Sequence, residues 1–174
     1  MHSESPTGPS KQAVRALALE RPTGFLAFGF GSGLSPRAPG TAGTLLGLLL
    51  WLPLTPLPLW LGLVLVAALF VLGIWLCEVS SQALGVHDHG GIVWDEMVAI
   101  WLVLVVVPFD WRWWLASFVL FRVFDILKPW PIDWLDRRVA GGLGIMIDDV
   151  IAALYTLAAL WLGVALLGWL QGVI

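Results

Sequence analysis

The sequence predicts an all-α integral membrane protein of about five transmembrane helices, some short or re-entrant, with a polar site on the cytoplasmic side. Three observations predict it. Of 174 residues, 59% are hydrophobic and 12% charged, about half the charge of an ordinary soluble domain. The 40 residues from Ala38 to Cys77 carry no charge, nor does Val150–Leu170, and uncharged runs of this length suit helices that cross a bilayer. The acids and bases that interrupt the apolar sequence gather near the ends of such runs.

Residues 1–24 (MHSESPTGPSKQAVRALALERPTG) are polar or amphipathic and lack the apolar core of a secretory signal, so this segment is expected to stay in the cytoplasm. Residues 25–174 then form one multi-pass domain that must carry any chemistry. Its first span, about Gly43–Leu54, is short and stops at the breaker TPLP, residues 55–58. The second, about Leu57–Glu78, is of full length. The third, GIVWDEMVAIWLVLVVVP (91–108), and the fourth, WWLASFVLFRVFDILKPW (113–130), reach membrane length only with their own charges included. Asp95, Glu96, Arg122 and Asp125 therefore fall at or within the bilayer boundary. The fifth span opens at Gly144 with GIMIDD and runs to about Leu170. Trp94, Trp111, Trp113, Trp114, Trp130 and Trp134 stand near these ends, where an amphipathic ring anchors at the headgroups.

Threading the spans from a cytoplasmic N-terminus puts Lys11, Arg15, Arg21, Arg37, Arg122, Lys128, Arg137 and Arg138 inside and Arg112 outside. This asymmetry follows the positive-inside rule and suits an anionic lipid membrane. A net charge of −3 with nine scattered basic residues excludes a nucleic-acid partner. Cys77 is the sole cysteine, so no internal disulfide forms, and it reads as packing.

The same threading brings four segments to one face: GFGSGLSPRAPGTAGT before span one, DHGGIVWDE opening span three, FRVFDILKPWP closing span four and GGLGIMIDD opening span five. Adjacent residues of a helix point about 100° apart, so Asp95 with Glu96, or Asp148 with Asp149, converge on one site only near a helix end, where both pairs are expected. Four carboxylates gathered in low dielectric repel unless a cation intervenes. Oxygen ligands without a cysteine or histidine set favour Mg²⁺ over zinc. Arg122, Asp125 and Lys128 recur one helical turn apart, and an Arg and a Lys beside a divalent metal suit phosphate oxygens. Arg37 and the backbone N–H groups from Gly40 to Thr44 add a further place for an anion. The alternatives are a self-neutralised helix end and acids that only complement helix dipoles. His87 and His89 read as solvated loop residues.

Taken together, GSGLSPRAPGTAGT, DHGGIVWDE, FRVFDILKPWP and GGLGIMIDD resemble the signature blocks of the bacterial phosphatidylglycerophosphatase A family, from about Phe28 to Ala153. The resemblance implies a multi-pass enzyme of the bacterial inner membrane. Such an enzyme converts phosphatidylglycerophosphate in the bilayer to phosphatidylglycerol with Mg²⁺. The resemblance points to Asp95, Glu96, Arg122, Asp125, Lys128, Asp148 and Asp149 as the polar centre; with the reading of the residues above, Asp95, Glu96, Asp148 and Asp149 are expected to bind the metal, and Arg122, Asp125, Lys128 and Arg37 to form the catalytic set. Ala99 and Ala153 depart from the glycines expected after the two acidic blocks, which bears on how closely helices approach. A phosphatidyltransferase would share membrane aspartates and a metal, but its D-G-x-x-A-R and G-x-x-x-D-x-x-x-D spacing is absent, as is the P-S-G-H block of histidine-dependent lipid phosphatases. An ion or proton carrier would step its acids across the bilayer; here they cluster on one side.

Overall fold

The computed structural model describes residues 8–136 and 138–170, and among these the chain is helical with no strand. Arg137, one of the bases assigned to the inner face, lies outside the described residues. In chain order the helices are α1 (Lys11–Glu20), α2 (Pro22–Ala27), α3 (Pro39–Trp51), α4 (Leu59–Leu84), α5 (Trp94–Leu104), α6 (Trp111–Leu127), α7 (Ile132–Asp136) and α8 (Gly141–Leu170). Short 3₁₀ turns cover Gly29–Leu34 and Leu52–Leu54.

Local chemistry sets the boundaries near the N-terminus. Ser10 caps α1, its Oγ accepting from the Ala13 N–H at 3.1 Å. Arg21 is extended because Pro22 follows it, and Pro22 opens α2. Both helices pack against α4 and bury Leu17, Ala18 and Ala27.

Among the described residues, two helices are long and apolar enough to cross a membrane by length and composition, α4 and α8. With 26 and 30 residues they extend about 39 and 45 Å at 1.5 Å per residue. Only 22% of the most apolar window of each is buried within the protein. Trp60, Val64 and Val71 of α4, and Leu162, Leu166 and Leu167 of α8, face outward, an apolar exterior that water would not tolerate at this extent.

Helix α5 is different. Eleven residues, about 16 Å long, lie against α3, α4, α6 and α8, and Met97, Val98, Ala99, Ile100 and Val103 are all buried. A helix apolar on every side is a core helix. The expected third span, 91–108, is thus helical over only its middle; the β-branched run Val105–Val107 and then Pro108 end it. Gly43 and Gly47 let α3 approach closely, for a Cβ at either would press on Val93 or Ile100.

Trp94 corrects the anchoring expectation. It is 4% exposed, and its indole N–H donates to the Leu69 carbonyl at 3.2 Å, because α5 is central and a buried donor in an apolar bundle must find a partner. Trp111 and Trp130 are exposed as expected. The Trp94 contact also sets a level: Leu69 lies ten residues (69 − 59) beyond the start of α4, about 15 Å along it. The head of α5 is therefore near mid-height of α4.

Candidate active site

Asp95 and Glu96 occupy the first turn of α5, where carboxylates complement the free N–H groups and dipole. The chain enters this turn along the Gly29–Leu34 segment, with the Val93 N–H donating to the Ala27 carbonyl at 2.9 Å. Glycine is required where these backbones meet, since a Cβ at Gly33 would collide with the Gly91 carbonyl. The glycine-rich loop is thus packed backbone to backbone against the segment that delivers Asp95 and Glu96.

Helix α6 supplies the cations at its C-terminal end. Arg122 pairs with Asp125 one turn on, and its Nη1 lies 3.7 Å from Glu96 Oε1. Lys128 closes α6 in the left-handed conformation, φ 42° and ψ 58°, which for a residue with a Cβ costs about 1–2 kcal/mol. From there its Nζ donates to Asp148 Oδ2 on α8 at 3.2 Å. Such strain is held where surrounding structure fixes it, commonly at functional sites.

Helix α8 begins earlier than the sequence suggested, at Gly141. The Gly142 N–H donates to Glu78 Oε2 of α4 at 2.6 Å, and the Gly141 N–H to His87 Nε2 at 3.2 Å. This changes the second acidic pair: Asp148 and Asp149 lie two turns inside α8, not at its end. Consequently the pair diverges. Asp149 turns toward α5, where one oxygen each from Asp95, Glu96 and Asp149 lie within 4.8 Å of one another, a set that could hold a metal ion. Asp148 turns toward Lys128.

Asp95, Glu96, Asp125, Lys128, Asp148 and Asp149 line one cavity of about 80 Å³, with Asp88 and Gly90 also on its wall. At about 10–15 Å³ per water-sized probe, it admits a hydrated ion or a phosphoryl group and excludes a diacyl lipid. Six carboxylates (Asp88, Asp95, Glu96, Asp125, Asp148 and Asp149) face two cations (Arg122 and Lys128). The surplus negative charge must be met by protons or a bound cation. Asp95 Oδ1, Glu96 Oε2 and Asp149 Oδ2 are buried without a hydrogen-bond partner. Buried acceptors left in this way are costly, and an all-oxygen set suits a hard divalent cation.

Arg37 is exposed in the loop before α3 and is not among the residues lining this cavity. Gly40, in the first turn of α3, is buried against Glu96 and Arg122; a Cβ there would collide with Glu96 Oε1 and come within 3.0 and 3.1 Å of the two Arg122 Nη atoms. His87 and His89 accept from the Gly141 and Gly91 N–H groups, so both fasten backbone. Sequence reasoning missed Glu78. Its position at the edge of a long apolar run was the available signal, and nothing local revealed that its partner lay 64 residues away.

The family of phosphatidylglycerophosphatase A matches residues 25–164. The phosphatidylglycerophosphatase A of Escherichia coli K12 is 47% identical over 150 residues, covering 86% of this chain and 87% of the relative. That of Haemophilus influenzae Rd is 49% identical over 147 residues, covering 82% and 88%. A Bacteroides thetaiotaomicron protein provisionally named a phosphatidylinositol-3-phosphatase is 43% identical over 137 residues, covering 74% and 84%. No solved structure matches. Since the matched region contains every helix end that contributes to the acidic cavity, the chain belongs to the phosphatidylglycerophosphatase A family.

Proposed function

We propose that this protein removes the terminal phosphate of phosphatidylglycerophosphate, yielding phosphatidylglycerol, in the bacterial inner membrane. The observation that carries this reading is the set of three buried, unpartnered carboxylate oxygens beside Arg122 and Lys128, in a member of this family. Residues 25–174 act as one multi-pass catalytic domain and residues 1–24 as a polar cytoplasmic segment. The eight-to-one partition of basic residues supports five spans with the cavity opening to the cytoplasm and to anionic lipid.

Asp95, Glu96 and Asp149 would hold Mg²⁺. When bound, the ion supplies Lewis-acid polarisation of the phosphoryl oxygens. The remaining steps belong to side chains. Arg122 offers a planar fork to the phosphoryl group, and its Nε is buried without an acceptor. Lys128 Nζ neutralises charge as it grows on the transferring group. Asp148 lies on the cavity wall outside the three-oxygen set, placed to take the proton of the attacking water as the bond from phosphorus to the glycerol oxygen breaks. The leaving oxygen takes a proton from Lys128 or solvent. Arg37, exposed in the loop before α3, draws the anionic headgroup inward.

The test is phosphate release from phosphatidylglycerophosphate by purified protein with and without Mg²⁺, run beside phosphatidylinositol 3-phosphate. Release that requires Mg²⁺ and prefers the first lipid is expected. Absence of release from either lipid would remove the proposal.

A further inference from the structure

The acidic cavity is level with the middle of α4 and is too small for a lipid. A substrate whose chains stay in the bilayer must then present its phosphate from the side. One face of the bundle is built for this. Between α3 and α6 runs a groove of about 390 Å³, walled by Thr41 of α3 and by Phe118, Val119, Val123 and Ile126 of α6, with Arg122 also lining it. Its walls are otherwise apolar, and Val119, Val123 and Ile126 are outwardly exposed. Arg122 belongs to both places: it lines the groove, while its buried Nη1 pairs with Asp125 and approaches Glu96 of the cavity. Gly40, next to Thr41 on α3, packs directly against Glu96 and Arg122.

We propose that this groove seats an acyl chain of the lipid phosphomonoester, with its anionic headgroup drawn past Arg122 into the acidic cavity; the idea rests on the phosphatase reading above. An apolar trough that shares Arg122 with the acidic cavity is complementary to an anionic amphiphile. Lipid tails are as apolar as these walls, so the groove gains little by hydrophobic transfer. Its contribution is alignment, and misplacement by about 1 Å can cost roughly 100-fold in rate.

The experiment fills the groove and compares two substrates in the full-length protein. Val119→Trp and Val123→Trp should each lower kcat/KM for dioleoyl phosphatidylglycerophosphate by about 10- to 100-fold and leave a water-soluble dibutyryl form within about twofold. Val71→Trp, on the outward face of α4, should change neither. To fill the groove after folding, Val123→Cys is labelled with alkyl thiosulfonates of increasing length, Cys77 being buried; the dioleoyl rate should fall as the alkyl group lengthens. Equal losses on the two substrates in both the tryptophan variants and the labelled protein, or no loss on either, would overturn the groove. Wild-type protein inert on both chain lengths would instead remove the phosphatase reading, and the groove's occupant with it.

Discussion

Two pairs of adjacent acids look alike in the sequence and behave differently in the fold. Asp95 and Glu96 sit in the first turn of α5 and both join the oxygen cluster. Asp148 and Asp149 sit two turns inside α8; the helix separates them, sending Asp149 to the cluster and Asp148 to Lys128. The difference teaches that adjacency in a chain gives convergence only where the backbone is still turning into a helix. Deeper in, the 100° step divides neighbours between two partners, here a metal-type set and a cation.

The sharpest way to break this comparison is to neutralise the second pair one member at a time. Asp149→Asn should reduce phosphate release by about 10³-fold or more even at high Mg²⁺, as expected when an electrostatic group at the reacting centre is lost. Asp148→Asn should leave the Mg²⁺ concentration for half-maximal activity within about threefold of wild type, its defect residing in kcat. Equal and large shifts in Mg²⁺ requirement for both variants would show that the pair acts together.

Replacing Lys128 tests the other half of the division. Lys128→Met keeps much of the apolar stem and removes the charge, and turnover should fall about 10²- to 10³-fold with KM changing less. A structural ion pair predicts another pattern: intact turnover, a lowered melting temperature in detergent, and rescue of that temperature by Asp148→Asn in the same background.

A smaller effect is expected at Gly40. Gly40→Ala puts a methyl group between Glu96 and Arg122, forcing both to shift, and a loss of about tenfold in kcat/KM follows from displaced reacting groups. Unchanged kinetics would mean that the first acidic pair tolerates movement and that its convergence is incidental.

Glu78→Ala removes the acceptor for the Gly142 N–H and for Gln82 Nε2. A hydrogen bond to a charged group contributes about 1.5–3 kcal/mol, so thermal unfolding in detergent should occur earlier, while activity at low temperature is largely kept. Smallest of all is Arg37→Ala, in the exposed loop before α3. A rise of roughly threefold in KM that disappears at high salt is expected of a steering charge. A large fall in kcat would instead place Arg37 at the phosphoryl group.

Ala99 and Ala153, which stand where glycines were expected, are both buried in the core, and α5 and α8 pack together with the methyl groups in place. The bundle thus absorbs the change that the sequence raised as a question of helix approach.

The sequence by itself determined the helical class, the two full-length apolar helices and the four segments that carry polar residues. These follow from local properties: an uncharged run must be helical to satisfy its backbone in lipid, and a costly charge inside it marks a site. It also determined the family, because several ordered blocks are specific where one is not. Only the tertiary structure decided that α5 is a short core helix with Trp94 inside, that Asp148 and Asp149 part company, that Glu78 and His87 fix the head of α8, and that Arg122 joins the cavity to an outward groove. Each of these depends on partners distant in sequence, on α4 or α6 meeting α8, and on where a helix starts. Local pattern sets which residues are polar and how far apart they lie along a helix; packing between helices sets which way each one faces.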